Sequence, residues 1–229
     1  ISAREIMRKM PPECLVTEND STYYERLLVA VAKELGVKSF VVQHGATWFG
    51  SSYRDRGLYT HDFYPIYCDT FLAFGQVTKD WFVSMGADPG KVIVTGGIRF
   101  DDYYHDKKNI SNNLNRKKTV LILINDAWTI EIFVKSSLEL NLFYNHIIKF
   151  MELAKNNPEI DFIVRPRFEN NLWNEIFKAE LSSLHNFRIS RQESLKELFL
   201  CADLVIGYTS TALFEALIAG IPVISLNIN

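Results

Sequence analysis

The sequence is short of the residues that define several protein classes. Its 229 residues include only three cysteines, Cys14, Cys68 and Cys201. Odd in number and far apart, they exclude a disulfide framework and any zinc-ligand spacing, and they suit a reducing compartment. There is no HExxH, CxxC or DxD, and His61, His105, His146 and His185 show no ligand spacing. Asp101-Asp102 alone does not make a metal site, so neither metal nor other cofactor is expected. Walker A and GxGxxG are also missing, which argues against a P-loop kinase and a standard dinucleotide dehydrogenase.

Excess charge is absent too. The 25 basic and 27 acidic side chains leave a net charge of −2, which gives no general electrostatic case for nucleic acid or an anionic membrane. The most apolar stretch, Cys201 to Leu226, is divided by Gly207, Glu215, Gly220 and Pro222 into pieces too short to span a bilayer. The N-terminus ISAREIMRKM mixes charged and apolar residues and has no signal-peptide pattern. No internal repeat is visible. The expected location is therefore the cytoplasm.

What is present is an ordinary globular composition, 48% hydrophobic and 23% charged, in which short β-branched runs alternate with helical patterns. Strands are expected at 14–17, 39–43, 71–74, 92–95, 119–124, 161–165, 187–190, 203–206 and 222–226. Helices are expected at about 22–35, 76–85, 137–155, 171–184, 194–200 and 210–219. Thr22 and Glu25 have capping-box spacing, and Leu27, Leu28, Val31 and Leu35 share one helical face. This alternation predicts an α/β fold of two Rossmann-like parallel-sheet domains. Residues 1–101 form the first, the acceptor side. The polar, Asn/Lys-rich run 102–118 is the linker, and 119–229 form the second, nucleotide-donor-binding domain. Both domains read as partial.

Candidate site residues lie where strands end, because open parallel sheets bind ligands at their carboxyl edge. His44 follows the buried run Ser39–Gln43, precedes Gly45 and opens a long polar-aromatic loop. An imidazole, with its ordinary pKa near about 6.5, suits proton transfer at neutral pH; the plainer role is a structural hydrogen bonder. Asp20 is either a second acid/base group or a helix N-cap. Arg165 and Arg167 flank Pro166 at a strand end, which suits bidentate phosphate capture or simply ends the strand. Asn125 ends the first strand of the second domain, where it either lines the cleft or makes an Asx turn. Ser210 and Thr211 start a helix whose free N–H groups favour a diphosphate, and Glu215 behind them suits a ribose.

Three blocks resemble the GT-B superfamily of bacterial surface-polysaccharide transferases, with capsule and CDP-glycerol glycerophosphotransferase-like enzymes nearest. They are NDSTYYERLLVAVAKELGVKSFVVQHG (19–45), DTFLAFGQVTKDWFVSMGADPGKVIVTGGIRFDD (69–102) and ADLVIGYTSTALFEALIAGIPVIS (202–225). The resemblance implies two Rossmann-like domains facing across a cleft and a metal-independent transfer from a nucleotide-activated donor. It implies donor contacts from Ser210, Thr211 and Glu215, with His44 opposite as base or acceptor-binding group, and it brings Gly45, Gly97, Arg99 and Asn125 into the cleft. The acceptor would be a saccharide, and a lipid-linked one would place the protein peripherally at the inner membrane face. Many relatives carry His-Pro where this chain has Arg165-Pro166, so no histidine role transfers there. They also have further strands before Cys14 and helices after Leu226. A nucleotide-sugar epimerase of the UDP-GlcNAc 2-epimerase type and a non-catalytic nucleotide-binding module are the alternatives.

Overall fold

The computed structural model describes residues 2–45, 64–106, 116–124, 137–166, 178–190, 192–208 and 210–226. The chain divides into two compact units, Ile1–Arg99 and Phe100–Asn229. Each is a parallel α/β sheet unit of Rossmann type, as the alternation of patterns predicts.

In the first unit, β1 (Cys14–Thr17), β2 (Lys38–Val42), β3 (Thr70–Ala73) and β4 (Val92–Val94) pair in parallel in that order. Helix α1 (Ala3–Lys9) precedes them, α2 (Tyr23–Glu34) connects β1 to β2, and α3 (Gln76–Ser84) connects β3 to β4. Val41, Phe71, Ala73 and Val92 of the strands close over Phe82 of α3 and Cys68. Phe71 and Phe82 meet edge to face with centroids 4.7 Å apart, an arrangement that adds about 0.5–1.5 kcal/mol to their burial.

Two local expectations fail here. Thr22 is the N-cap of α2 but makes no side-chain capping bond, and its amide, which Glu25 would take in a capping box, donates to Asn19 Oδ1 at 3.3 Å. The buried face of α2 is Val29, Val31 and Ala32, with Leu27 turned outward at 47% exposure. Helix α1 was not expected at all, although Ser2 and Glu5 form a complete capping box at its start.

In the second unit the strands are β5 (Lys118–Ile124), β6 (Ile160–Pro166), β7 (Phe187–Ile189), β8 (Leu204–Gly207) and β9 (Val223–Ser225). They are all parallel, in the order β7-β6-β5-β8-β9. The helices are α4 (Asp101–Asp106), α5 (Ser137–Asn156), α6 (Lys178–Ser183), α7 (Leu195–Cys201) and α8 (Thr211–Ile218). Alternate residues of β5 serve opposite faces, as a period of two requires. Ile122 and Ile124 pack with Ile147, Phe150 and Met151 of α5. Leu121 and Leu123 pack with Leu198 of α7 and Leu213 and Ala216 of α8. Each such side chain fully buried contributes about 1.5–3 kcal/mol, which is why the central strand reads as an unbroken apolar run.

The amino ends of β5 and β8 are tied by polar groups. Asp203 Oδ2 accepts from the Thr119 amide at 2.8 Å and from Arg116 Nη1 at 2.8 Å, while Lys118 Nζ donates to Oδ1 at 3.1 Å. Residues 101–106, expected to lack regular structure, form α4, and Tyr103 within it sets its ring edge-on to Phe199 of α7, centroids 5.6 Å apart. Among the described residues no helix is long and apolar enough to cross a membrane.

Candidate functional site: the carboxyl edges of the two sheets

At the carboxyl edge of the first sheet the backbone after β2 is fixed by Gln43, whose side chain is buried. Its Nε2 donates to the Gly45 carbonyl at 2.8 Å, and its Oε1 accepts from the Phe74 amide beyond β3 at 2.7 Å. His44 is held between these bonds. Its Nδ1 lies 2.8 Å from the Glu18 carbonyl, just past β1. A carbonyl oxygen only accepts, so Nδ1 carries the hydrogen. In the neutral ring Nε2 is then the basic nitrogen, the form a proton acceptor needs. Arg99 Nη1 donates to the His44 carbonyl at 2.6 Å. The structure thus brings His44, Gly45 and Arg99 together, with Gly97 half-buried two residues before Arg99.

Asp20 is corrected. It is neither a helix cap nor an accessible acid/base group: it is 0% exposed, and its Oδ2 accepts from the amides of Tyr67 and Cys68, both at 2.7 Å. Two amide donors on one carboxylate oxygen make it a brace between the β1 loop and the approach to β3. Burial, and then the Asp20 charge beside it, pushes the Cys68 thiol up to about 12, so that thiol is not a nucleophile at neutral pH.

In the second sheet the strand order reverses beside β5, because β6 and β7 lie on one side of it and β8 and β9 on the other. The crevice at such a reversal, outside the carboxyl ends of the strands, is where open α/β sheets bind ligands. Helix α8 starts there. Ser210 is its N-cap and accepts from the Ala212 amide at 3.3 Å, and Thr211 is its first residue. Gly207 lets α8 come this close. A Cβ on Gly207 would stand 3.1 Å from Leu123 Cβ, from the Leu123 carbonyl oxygen and from Leu213 Cδ2, tighter than ordinary packing tolerates.

Glu215 lies one turn inside α8. Its side chain is 1% exposed, and its Oε2 accepts from the Tyr103 hydroxyl at 2.9 Å. The expected ribose contact is therefore closed in this conformation, with a phenol hydroxyl on the carboxylate. Arg165 lies in β6, two strand spacings from β8, about 10 Å, and its Nη1 donates to the Ser190 carbonyl after β7 at 3.5 Å. At the crevice the start of α8 supplies positive potential. Arg167 and Asn125 lie outside the described residues.

Sequence reasoning missed a further pair at this edge. Tyr208, 5% exposed and just past β8, has its hydroxyl 2.7 Å from His146 Nδ1 on α5. Burial raises the Tyr208 phenol, and burial with the nearby Lys149 charge lowers the His146 imidazole. At neutral pH the phenol then donates to a neutral ring. His146 has no motif spacing, so only the strand-end position of Tyr208 could have pointed to the pair. Among the described residues no three His, Cys, Asp or Glu side chains converge on a metal position.

Two parallel Rossmann-like sheet units, with candidate groups at their carboxyl edges, make an α/β fold of the GT-B type. The sequence profile of the LIC12162 family transferases matches residues 2–227, and the chain belongs to that family. No curated protein sequence matches it significantly. Solved structures resemble it in fold. The UDP-GlcNAc 2-epimerase of Neisseria meningitidis, bound to UDP-GlcNAc, is 18% identical with TM-score 0.61, over 97% of this chain and 61% of its own. That of Methanocaldococcus jannaschii, in complex with UDP-GlcNAc and UDP, is 18% identical with TM-score 0.66, over 97% and 62%. The Rickettsia bellii UDP-N-acetylglucosamine 2-epimerase is 13% identical with TM-score 0.65, over 99% and 58%. The chain spans about three fifths of the length of each of these structures.

Proposed function

We propose that this protein transfers a sugar or polyol phosphate from a nucleotide-activated donor to a surface-polysaccharide acceptor. The observation that carries this reading is the start of α8, Ser210 and Thr211, at the strand-order reversal of the second sheet with the Glu215 carboxylate behind it. A helix N-terminus offers free N–H groups and a positive dipole end to a diphosphate, and a carboxylate accepts from ribose hydroxyls. Membership of a transferase family and the fold shared with UDP-GlcNAc-binding proteins support the same assignment.

In this reading His44 takes the proton of the acceptor hydroxyl through Nε2, and Arg99 and Glu18 hold the ring in place through the backbone. The bond from donor to nucleotide phosphate breaks as the acceptor oxygen attacks. The negative charge left on the nucleotide is stabilised by the first N–H groups of α8, so no metal ion is required. The donor nucleotide is a uridine or cytidine diphosphate derivative. The acceptor is a saccharide or a lipid-linked saccharide at the inner membrane face, reached from the cytoplasm.

Calorimetric titration with UDP, CDP, UDP-GlcNAc and CDP-glycerol, with and without a chelator, tests the donor site. Micromolar binding that survives the chelator is expected. Glu215→Ala should weaken it about ten- to hundredfold, the worth of hydrogen bonds to a charged group. Failure of all four ligands to bind would sink the proposal. The epimerase reading is favoured by the shared fold with the 2-epimerases; epimerised UDP-GlcNAc formed without any acceptor would select it.

A further inference from the structure

Glu215 raises a problem that its proposed ribose role does not solve. A carboxylate 1% exposed cannot meet a ligand, and a buried charge persists only where it is hydrogen-bonded. The Tyr103 hydroxyl donates to it at 2.9 Å. Tyr103 is held in turn by its edge contact with Phe199, which is itself buried. A phenol hydroxyl on a carboxylate oxygen is the same interaction that a ribose hydroxyl would make there.

We propose that Tyr103 is a latch on the nucleotide site: its hydroxyl holds Glu215, and a nucleoside diphosphate displaces it with its own ribose hydroxyls. The reading rests on nucleotide binding at the start of α8 and adds the step that opens it. Helix α4 is suited to this step. It has only six residues, and it packs through Tyr103 beside α7 and α8. Six residues are fewer than an isolated helix needs to hold itself together, so α4 depends on its contacts and moves when one is exchanged. Because the resident hydroxyl and the ligand hydroxyls compete for one carboxylate, part of the binding energy of each incoming nucleotide is used to release Tyr103. Ligands lacking the ribose hydroxyls gain nothing from that release.

The test titrates the wild type, Tyr103→Phe and Glu215→Gln with UDP and CDP and with their 2′,3′-dideoxy counterparts. Removing the hydroxyl keeps the ring against Phe199 and is expected to tighten ribonucleotide binding about tenfold, the worth of one hydrogen bond to a charged group. Dideoxynucleotide affinity should stay unchanged, and Glu215→Gln should lose the preference for the ribose form. A Tyr103→Phe protein that binds ribonucleotides as weakly as the wild type, or more weakly, overturns the latch while the nucleotide site stands. A wild type that binds neither nucleotide overturns both. Should Tyr103→Phe fail to fold, 3-fluorotyrosine at position 103 keeps the hydroxyl. Its fluorine resonance is expected to shift on addition of UDP or CDP, and not with the dideoxy form. No shift at ligand saturation overturns the latch.

Discussion

The first sheet adds its strands in one direction, β1 to β4, whereas the second begins at β5, adds β6 and β7 on one side and then β8 and β9 on the other. The reversal gives the second unit a crevice by topology alone. The first unit has no such reversal among its described strands, and its candidate site is made by individual residues. Gln43, Glu18 and Arg99 act there largely through the backbone, fixing the His44 main chain and one ring nitrogen. In the second unit the bond to Glu215 runs from side chain to side chain, between two helices. A site held by the backbone suits a group that must stay in place for proton transfer. One whose bond runs between two side chains suits a group that must exchange partners.

The largest effect that would separate the two edges is at His44. His44→Ala should lower nucleotide release in the presence of acceptor about 10²–10⁴-fold, the range for a positioned acid/base group, while calorimetry shows donor-nucleotide affinity unchanged. Equal loss of binding and turnover would move His44 out of the acceptor role. Next is Gly207→Ala, which forces a methyl group against Leu123 and Leu213. Overpacking of this kind costs about 1–3 kcal/mol. Urea unfolding should report that loss from the second unit, with the first unit unaffected.

The smallest effect is at Asp203. Burial raises its carboxyl, but the Thr119 amide and the Lys118 and Arg116 charges outweigh that, and the folded pKa is lowered. Stability from a lowered carboxyl is present above the unfolded value, near about 3.9, and is lost as pH falls through the folded one. The destabilisation of Asp203→Asn relative to wild type should therefore be largest at neutral pH and fade below about pH 4. A difference independent of pH would show that packing, not charge, joins the amino ends of β5 and β8.

The strands were legible because runs such as KTVLILI and IDFIVRP combine β-branched residues with burial on both faces. The start of α8 was legible because Ser210 precedes an apolar helix that Gly220, at φ 82°, brings to an end. The two unexpected helices were hidden by composition. In α4, DDYYHD reads as polar connector, and only the contact of Tyr103 with Glu215 and Phe199 reveals a structural part. Residues 2–5 carried the S-x-x-E signal of α1, but seven residues gave too little periodicity to use it. Asp20 was misread because local rules offer a cap three residues from a helix start, whereas its partners are 47 and 48 residues away. Strand-end position made Arg165 a candidate but does not fix which neighbour its long side chain turns to, here the Ser190 carbonyl.

The central position of β5 also has a consequence in time. Thr119 and Asp203, which join β5 to β8, are 84 residues apart. At roughly 5–20 residues per second on the ribosome, β5 waits roughly 4–17 s before the strand that covers its second edge is made. During that interval the most apolar strand of the second unit has an open side. The first unit closes its neighbouring strands over about thirty residues. A nascent-chain pull-down that stops synthesis before residue 204 should therefore recover chaperones on the second unit after the first has already become resistant to protease.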